Sequence, residues 1–270
     1  MTVQVALVDL TGPDAGEARD LVVLGPSLGT SVRALWSSCA AALGPGYRVV
    51  GWDLPGHGGS APCPTAFTVP DLAGAVLAAT RAVRSELGEG ARLLYAGVSL
   101  GGAVGLQLAV SQADEVDQVA VLCSGAKIGD PTDWRERADL VRRAGTPVMV
   151  EGSATRWFAP GFIGRDPATS TALLWSLQNA DRFSYARCCE ALADFDVRAE
   201  LGGVRVPVLA VAGSEDAVAP PSSPRWSPPG SRTGPVPCLR ASPTLPRLRR
   251  PSRSPDCSVT SSLEVLADGT

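Results

Sequence analysis

Residues 93–101 read Leu93-Leu94-Tyr95-Ala96-Gly97-Val98-Ser99-Leu100-Gly101, an apolar run that ends in Gly-x-Ser-x-Gly. The following run, Gly102-Ala103-Val104-Gly105-Leu106-Gln107-Leu108-Ala109-Val110, is compatible with a helix. A serine placed between a strand and a helix in this pattern stands on a sharp turn. The backbone there is strained, and side chains two residues either way would collide, so both places need glycine. The turn exposes the hydroxyl. The Leu100 amide opens the next helix, where unpaired N–H groups and the helix dipole favour a developing oxyanion. Chance is the competing reading, because 29 glycines make the pattern easier to meet. The flanking strand and helix favour the nucleophile.

Outward from the serine, strands alternate with helices. Strands are predicted near Val3–Leu10, over the apolar run Asp20–Leu24, over Tyr47–Trp52 and over Gln118–Leu122; helices are predicted over Ser31–Leu43 and residues 70–87. This rhythm predicts an α/β fold with a mostly parallel, doubly wound sheet. It breaks at about Ala126, and residues 126–202 are largely helical in pattern. An insertion that long between strands is too long for a loop and reads as a helical cap. The sheet resumes at Val204–Val211, which ends in Gly213-Ser214-Glu215-Asp216. The chain thus divides into a core (1–125), a cap (126–202), a second core segment (203–221) and a tail (222–270).

With 270 residues and 45% hydrophobic content, the chain can bury one substantial core. A net charge of -3 argues against nucleic acid or an acidic membrane as partner. No stretch approaches the roughly 18 apolar residues of a membrane span, and Met1–Val5 has no leader pattern. The expectation is a soluble, unexported protein. Seven scattered cysteines lack metal spacing, and the adjacent Cys188 and Cys189 make a poor disulfide, which points to reduced thiols in a cytoplasm.

After Pro221 the composition changes. Residues 222–270 contain nine Pro, ten Ser and seven Arg, with no Lys, Ile, Phe, Tyr, His or Gln. The prolines forbid a long helix or a central strand there. Two readings stay open: a natural low-complexity tail, or the product of a reading-frame slip in GC-rich codons.

An elbow serine needs a base, and the base needs an acid to hold its tautomer. Asp216 has the position of the acid, in a turn past the C-terminal end of a strand; its competing role is an ordinary turn aspartate. Leu28, in the loop after the first central strand, has the position of the second oxyanion donor. The base is missing. In the order Ser, acid, His, a histidine should follow Asp216, and none does. The one histidine of the chain, His57, lies between glycines in the loop Asp53–Ser60 ahead of the serine, and reads as a loop residue near the mouth of the site.

Residues 20–221 resemble the 3-oxoadipate enol-lactonases, a group within the α/β-hydrolases. The similar stretches are Ser27-Leu28-Gly29-Thr30 with Trp36, Gly56-His57-Gly58 with Ser60, and Gly97–Gly102. Cys123 with Ala126-Lys127-Ile128-Gly129, Trp134 and Arg137 continue the match, as do Arg156-Trp157-Phe158 with Pro160 and Phe162. Tyr185 with Cys188, Ala191 with Asp194, Asp196 and Arg198, and Gly213 with Asp216-Ala217-Val218 complete it. The resemblance implies a cofactor-free hydrolase that opens the enol-lactone to 3-oxoadipate in the protocatechuate branch of aromatic catabolism. It assigns Ser99 as nucleophile, Asp216 as acid, and the Leu28 and Leu100 amides as oxyanion donors. It also implies a histidine after the next strand, where this chain departs from the pattern, and a final strand and helix that the tail does not supply.

A lactone that carries a carboxylate needs a cation in an apolar pocket. Trp134 and Arg137, three apart in a predicted helix from about Pro131 to Arg143, share a face and can present a ring and a guanidinium together. Arg156 beside Trp157 is a rival pair. Two functions are therefore expected to compete: an enol-lactonase impaired by the lost base, acting on a small lactone or ester, and a catalytically silent scaffold that keeps the pocket.

Overall fold

A computed structural model describes residues 3–12, 18–44 and 46–212. Asp216 and the tail lie outside the described residues. Six strands form one sheet: β1 (Ala6–Asp9), β2 (Asp20–Gly25), β3 (Tyr47–Asp53), β4 (Leu93–Val98), β5 (Gln118–Leu122) and β6 (Val208–Val211), in the spatial order β1-β3-β2-β4-β5-β6. β1 runs antiparallel to β3 and every other pairing is parallel. The fold is the α/β-hydrolase fold, with a mixed rather than purely parallel sheet. β2, β4 and β5 are apolar past the first residue of β2 and of β5 because helices cover both faces, and β4 carries the serine at its C-terminal end, where open α/β sheets bind ligands.

The helices of the core are α1 (Val32–Ala40), α2 (Val69–Glu86) and α3 (Leu100–Ser111). Thr68 and Asp71 close the start of α2 with a reciprocal capping box, and Pro70 stands in its first turn. α3 is apolar on every side and its residues 100–109 are buried, as expected for a helix inside a layered core. Its glycines admit close packing: a methyl at Gly101 would lie 2.6 Å from the Gly25 carbonyl carbon, and one at Gly105 would lie 2.8 Å from the Tyr95 ring. Trp36 donates its indole N–H to the Gly25 carbonyl at 2.9 Å, and Tyr95 donates its hydroxyl to the Gly101 carbonyl at 2.8 Å. Trp36 thus ties α1 to the end of β2, and Tyr95 ties β4 to the start of α3.

Between β5 and β6 come α4 (Pro131–Ala144), α5 (Val150–Trp157), α6 (Phe162–Arg165), α7 (Pro167–Gln178) and α8 (Arg182–Ala193). Asp130, Asp166 and Asp181 cap α4, α7 and α8, each accepting a backbone N–H through its carboxylate. The last strand is shorter than the predicted Val204–Val211. Residues Leu201–Gly203 form a 3-10 turn, and pairing begins only after Pro207, whose ring nitrogen has no hydrogen to donate. β6 pairs with β5 alone among the described residues. No described helix is long and apolar enough to cross a membrane. Cys188 and Cys189 are buried thiols on α8, and burial pushes the Cys189 thiol up to about 12.

Candidate active site

Ser99 joins β4 to α3 with φ 55° and ψ -115°, a left-handed backbone that a side chain adopts at a cost. The glycines on either side are there for space. A methyl at Gly97 would collide with the Gly101 carbonyl, and one at Gly101 would meet the Pro26 carbonyl oxygen at 2.6 Å. The turn is held from both sides: the Ser99 amide donates to the Leu122 carbonyl at 3.0 Å, and the Ser99 carbonyl accepts from Ala103 N–H at 2.9 Å and from the Ser124 hydroxyl at 2.7 Å. The Ser99 hydroxyl itself makes no hydrogen bond among the described residues. Its backbone is fully used and its side chain is left over.

The loop after β2 is a tight turn closed by Thr30. Thr30 N–H donates to the Ser27 carbonyl at 3.0 Å, its hydroxyl donates to the same carbonyl at 2.9 Å, and Ser27 N–H donates to that hydroxyl at 3.2 Å. Gly29, with φ 88°, takes the position that demands a left-handed backbone. The turn consumes the amides of Ser27 and Thr30, whereas the Leu28 amide makes no hydrogen bond among the described residues. Gly101 N–H is spent on the Pro26 carbonyl at 2.9 Å, and the Leu100 amide, like that of Leu28, stays unspent. Two amides without a partner among the described residues thus stand in the loops that follow the neighbouring strands β2 and β4, one of them directly after Ser99.

Helices of the insert converge on the same turn. A methyl at Gly29 would meet Leu177 Cδ1 at 2.6 Å, Tyr185 Cε2 at 3.4 Å and Trp157 Cη2 at 3.5 Å, so side chains of α7, α8 and α5 surround this turn. Trp134 is anchored by its indole N–H, which donates to the Ile128 carbonyl at 2.6 Å, and the Arg137 guanidinium lies 4.6 Å from its ring centre. The shared helix face expected for this pair is present. Arg156 Nη2 reaches the Ser153 hydroxyl at 3.4 Å. Neither Arg137 nor Arg156 has an acidic partner among the described residues. Burial first and the Arg137 charge second lower the proton affinity of Arg156.

His57 differs from every residue above. It is 1% exposed and stacks on Tyr185 with ring centres 6.0 Å apart. Nδ1 lies 2.9 Å from the Pro55 carbonyl, which makes it the protonated nitrogen, and Nε2 is buried without a partner among the described residues. Desolvation pushes its pKa down to about 4, against smaller opposing effects of Pro55 and Asp181. The expected residue at the mouth of the site is instead a core residue, because the loop folds inward. Asp53 directs that loop. Its buried carboxylate accepts Val32 N–H at 2.7 Å and Gly59 N–H at 2.8 Å, and burial raises its pKa despite both bonds. Motif reading missed Asp53 and Ser124; a carboxylate directly after the apolar strand Tyr47–Trp52 was the available signal for the first.

Among the described residues no group of three or more His, Cys, Asp or Glu is arranged to hold a metal.

A family model described as the alpha/beta hydrolase family matches residues 22–248. The match runs past Pro221, where the stretch-by-stretch resemblance ends. The 3-oxoadipate enol-lactonase 2 of Acinetobacter baylyi is 34% identical over 200 residues, which cover 74% of this chain and 73% of the relative. A putative carbamate hydrolase of Yersinia enterocolitica is 27% identical over 222 residues, 78% of this chain and 76% of the relative. Among solved structures, the enol-lactonase from Burkholderia xenovorans LB400 superposes with a TM-score of 0.73 at 32% identity, over 80% of each chain. With its serine corner and helical insert matched in this way, the chain belongs to the alpha/beta hydrolase family, as an ester-type hydrolase similar to the 3-oxoadipate enol-lactonases.

Proposed function

We propose that the chain opens 3-oxoadipate enol-lactone to 3-oxoadipate through Ser99, at a rate limited by the lack of a catalytic base. The single observation that carries this reading is the strained Ser99 corner with two unspent amides, Leu28 and Leu100, beside an unspent hydroxyl. In the reaction, Ser99 Oγ attacks the lactone carbonyl carbon and gives up its proton to water in place of a base, and the negative charge gathers on the carbonyl oxygen, facing those amides. The ring C–O bond then breaks, its electron pair leaves with the enolate oxygen, and protonation and tautomerisation give the ketone. Water cleaves the acyl-serine ester and frees the second carboxylate. Asp216 takes the role of acid, residues 126–202 that of a cap over the site, and Trp134 with Arg137, or Arg156 with Trp157, the role of seating the carboxylate that the lactone already bears. Such a reaction belongs to aromatic catabolism in a reducing cytoplasm, in keeping with the buried thiols.

In a complete triad, histidine takes the serine proton. His57 is unsuited to that work: its ring is enclosed, and Nδ1 faces the Pro55 carbonyl rather than an acid. This observation also favours the second reading, a silent scaffold that keeps the pocket. The test is lactone consumption by the purified chain and by Ser99→Ala, with and without added imidazole. The expected result is slow hydrolysis that depends on Ser99 and accelerates when imidazole supplies the missing base. Equal rates for the chain and Ser99→Ala under both conditions would overturn the lactonase reading and leave the scaffold.

A further inference from the structure

Tyr95 stands in the middle of β4, is fully buried, and packs its ring against Gly105 of α3. A phenylalanine would fill the same space with no hydroxyl to strip of water, so the hydroxyl calls for a reason. It donates to the Gly101 carbonyl at 2.8 Å. That carbonyl lies in the first turn of α3, where a helical carbonyl is already served by the amide four residues on. The bond is therefore additional to the helix. Burial raises the proton affinity of the phenolate, so the group stays a donor.

Three glycines keep the space around it bare. A methyl at Gly25 would collide with the Tyr95 hydroxyl, one at Gly105 would lie 2.8 Å from the Tyr95 ring, and one at Gly101 would lie 2.6 Å from the Gly25 carbonyl carbon. The hydroxyl thus sits where the end of β2 crosses the start of α3. The same crossing carries the hydrogen bond from Gly101 N–H to the Pro26 carbonyl at 2.9 Å. Pro26 is two residues from Leu28, and Gly101 is one residue from Leu100. Gly101 is held through its N–H by the loop of Leu28 and through its carbonyl by Tyr95.

We propose that Tyr95 is a positioning residue for the Ser99 corner: its hydroxyl, set between Gly25 and Gly101, fixes the spacing of the Leu28 and Leu100 amides. Being fully buried, it acts through the Gly101 carbonyl rather than on the substrate. The inference rests on the reading of those two amides as the oxyanion donors. Their alignment counts for more in the transition state than in the bound ester, so loss of the hydroxyl lowers kcat and leaves KM nearly as it was.

The test is hydrolysis of 4-nitrophenyl acetate, an activated ester that calls on the same donors whatever the natural lactone, by the full chain and by Tyr95→Phe with imidazole present. Rates are counted after subtraction of the Ser99→Ala rate. Tyr95→Phe is expected to lower kcat about tenfold or more, since loss of a whole donor costs ~10²–10³ and a displaced donor less. KM should change by less than about twofold. Thr80→Val is the control, because Thr80 is also buried and its hydroxyl donates to the Val76 carbonyl at 2.9 Å within α2. It should lower the urea midpoint, as Tyr95→Phe does, and leave kcat unchanged. Gly25→Ala displaces the same hydroxyl by collision; it should lower kcat, and by less when combined with Tyr95→Phe, which vacates the space. An unchanged kcat in Tyr95→Phe, an equal fall in Thr80→Val, a change in KM alone, independent effects of Gly25→Ala and Tyr95→Phe, or a Tyr95→Phe chain that does not fold would overturn the proposal. Turnover of the nitrophenyl ester through Ser99 without turnover of the enol-lactone would remove the lactonase reading and leave this one standing, whereas no hydrolysis through Ser99 at all would remove both.

Discussion

Two glycine-rich loops stand at the same C-terminal edge of the sheet and are built to opposite ends. In the loop after β3, the strong groups are consumed with the exception of His57 Nε2: the Asp53 carboxylate takes two amides, the Ser60 hydroxyl donates to the Asp53 carbonyl at 2.6 Å, and His57 N–H donates to the Leu54 carbonyl at 2.9 Å. In the corner after β4, the backbone is strained and the useful groups are left unspent. A loop that satisfies itself holds the molecule together, while a loop that leaves donors open has something to bind. By this measure His57 belongs to the first kind and Ser99 to the second, although both stand between glycines in the sequence.

The comparison is broken most severely at Asp53. Asp53→Ala leaves the buried Val32 amide unsatisfied, at roughly 1–3 kcal/mol, and removes the carboxylate hydrogen bond to the exposed Gly59, at roughly 1.5–3 kcal/mol, so urea denaturation should show a loss of about 2–6 kcal/mol or no folded protein. An unchanged midpoint would mean that this loop is not held as described. His57 gives the next effect. Its folded pKa of about 4 lies below the ordinary 6.5, so the unfolded chain binds a proton that the folded chain refuses. Stability is therefore full above pH 6.5 and falls as the pH drops toward 4, by up to about 3 kcal/mol. A His57→Asn protein should lack this part of the slope, and the difference between the two pH profiles isolates it from the carboxylates.

At the serine corner smaller effects are expected, and one has the opposite sign. Gly101→Ala pushes a methyl against the Gly25 and Pro26 backbone, at about 1–3 kcal/mol in denaturant. Ser99→Gly relieves the positive φ and should stabilise the fold by about 1 kcal/mol while it removes the nucleophile. A lower melting temperature for Ser99→Gly would show that the hydroxyl is a structural group after all.

The fold was legible because its signals are local. The strand–turn–helix around Ser99 and the alternation of apolar strands with helices each specify their own structure, and the single antiparallel pairing of β1 left no mark in a four-residue strand. The start of β6 was placed early because Val204 and Val206 look like strand residues, while Pro207 and the turn before it decide otherwise. Site residues were legible in type and not in relation. Spacing put Trp134 and Arg137 on one face, but three separate helices had to fold before Trp157, Leu177 and Tyr185 met at Gly29. His57 misled because exposure is set by the loop's path, which the buried Asp53 carboxylate dictates from outside the motif.

As proposed, Ser99 faces the Leu28 and Leu100 amides and lacks a base in this chain. Steady-state hydrolysis of the enol-lactone by the chain and by His57→Asn tests it most directly. Loss of the histidine in a serine triad costs on the order of 10⁶ in turnover, with roughly 10³ to 10⁴ over water retained by the oxyanion hole and binding. The account predicts a rate depressed to that extent and the same in His57→Asn. A turnover in the usual range of about 1–10³ per second, abolished by His57→Asn, would contradict it and make His57 the base.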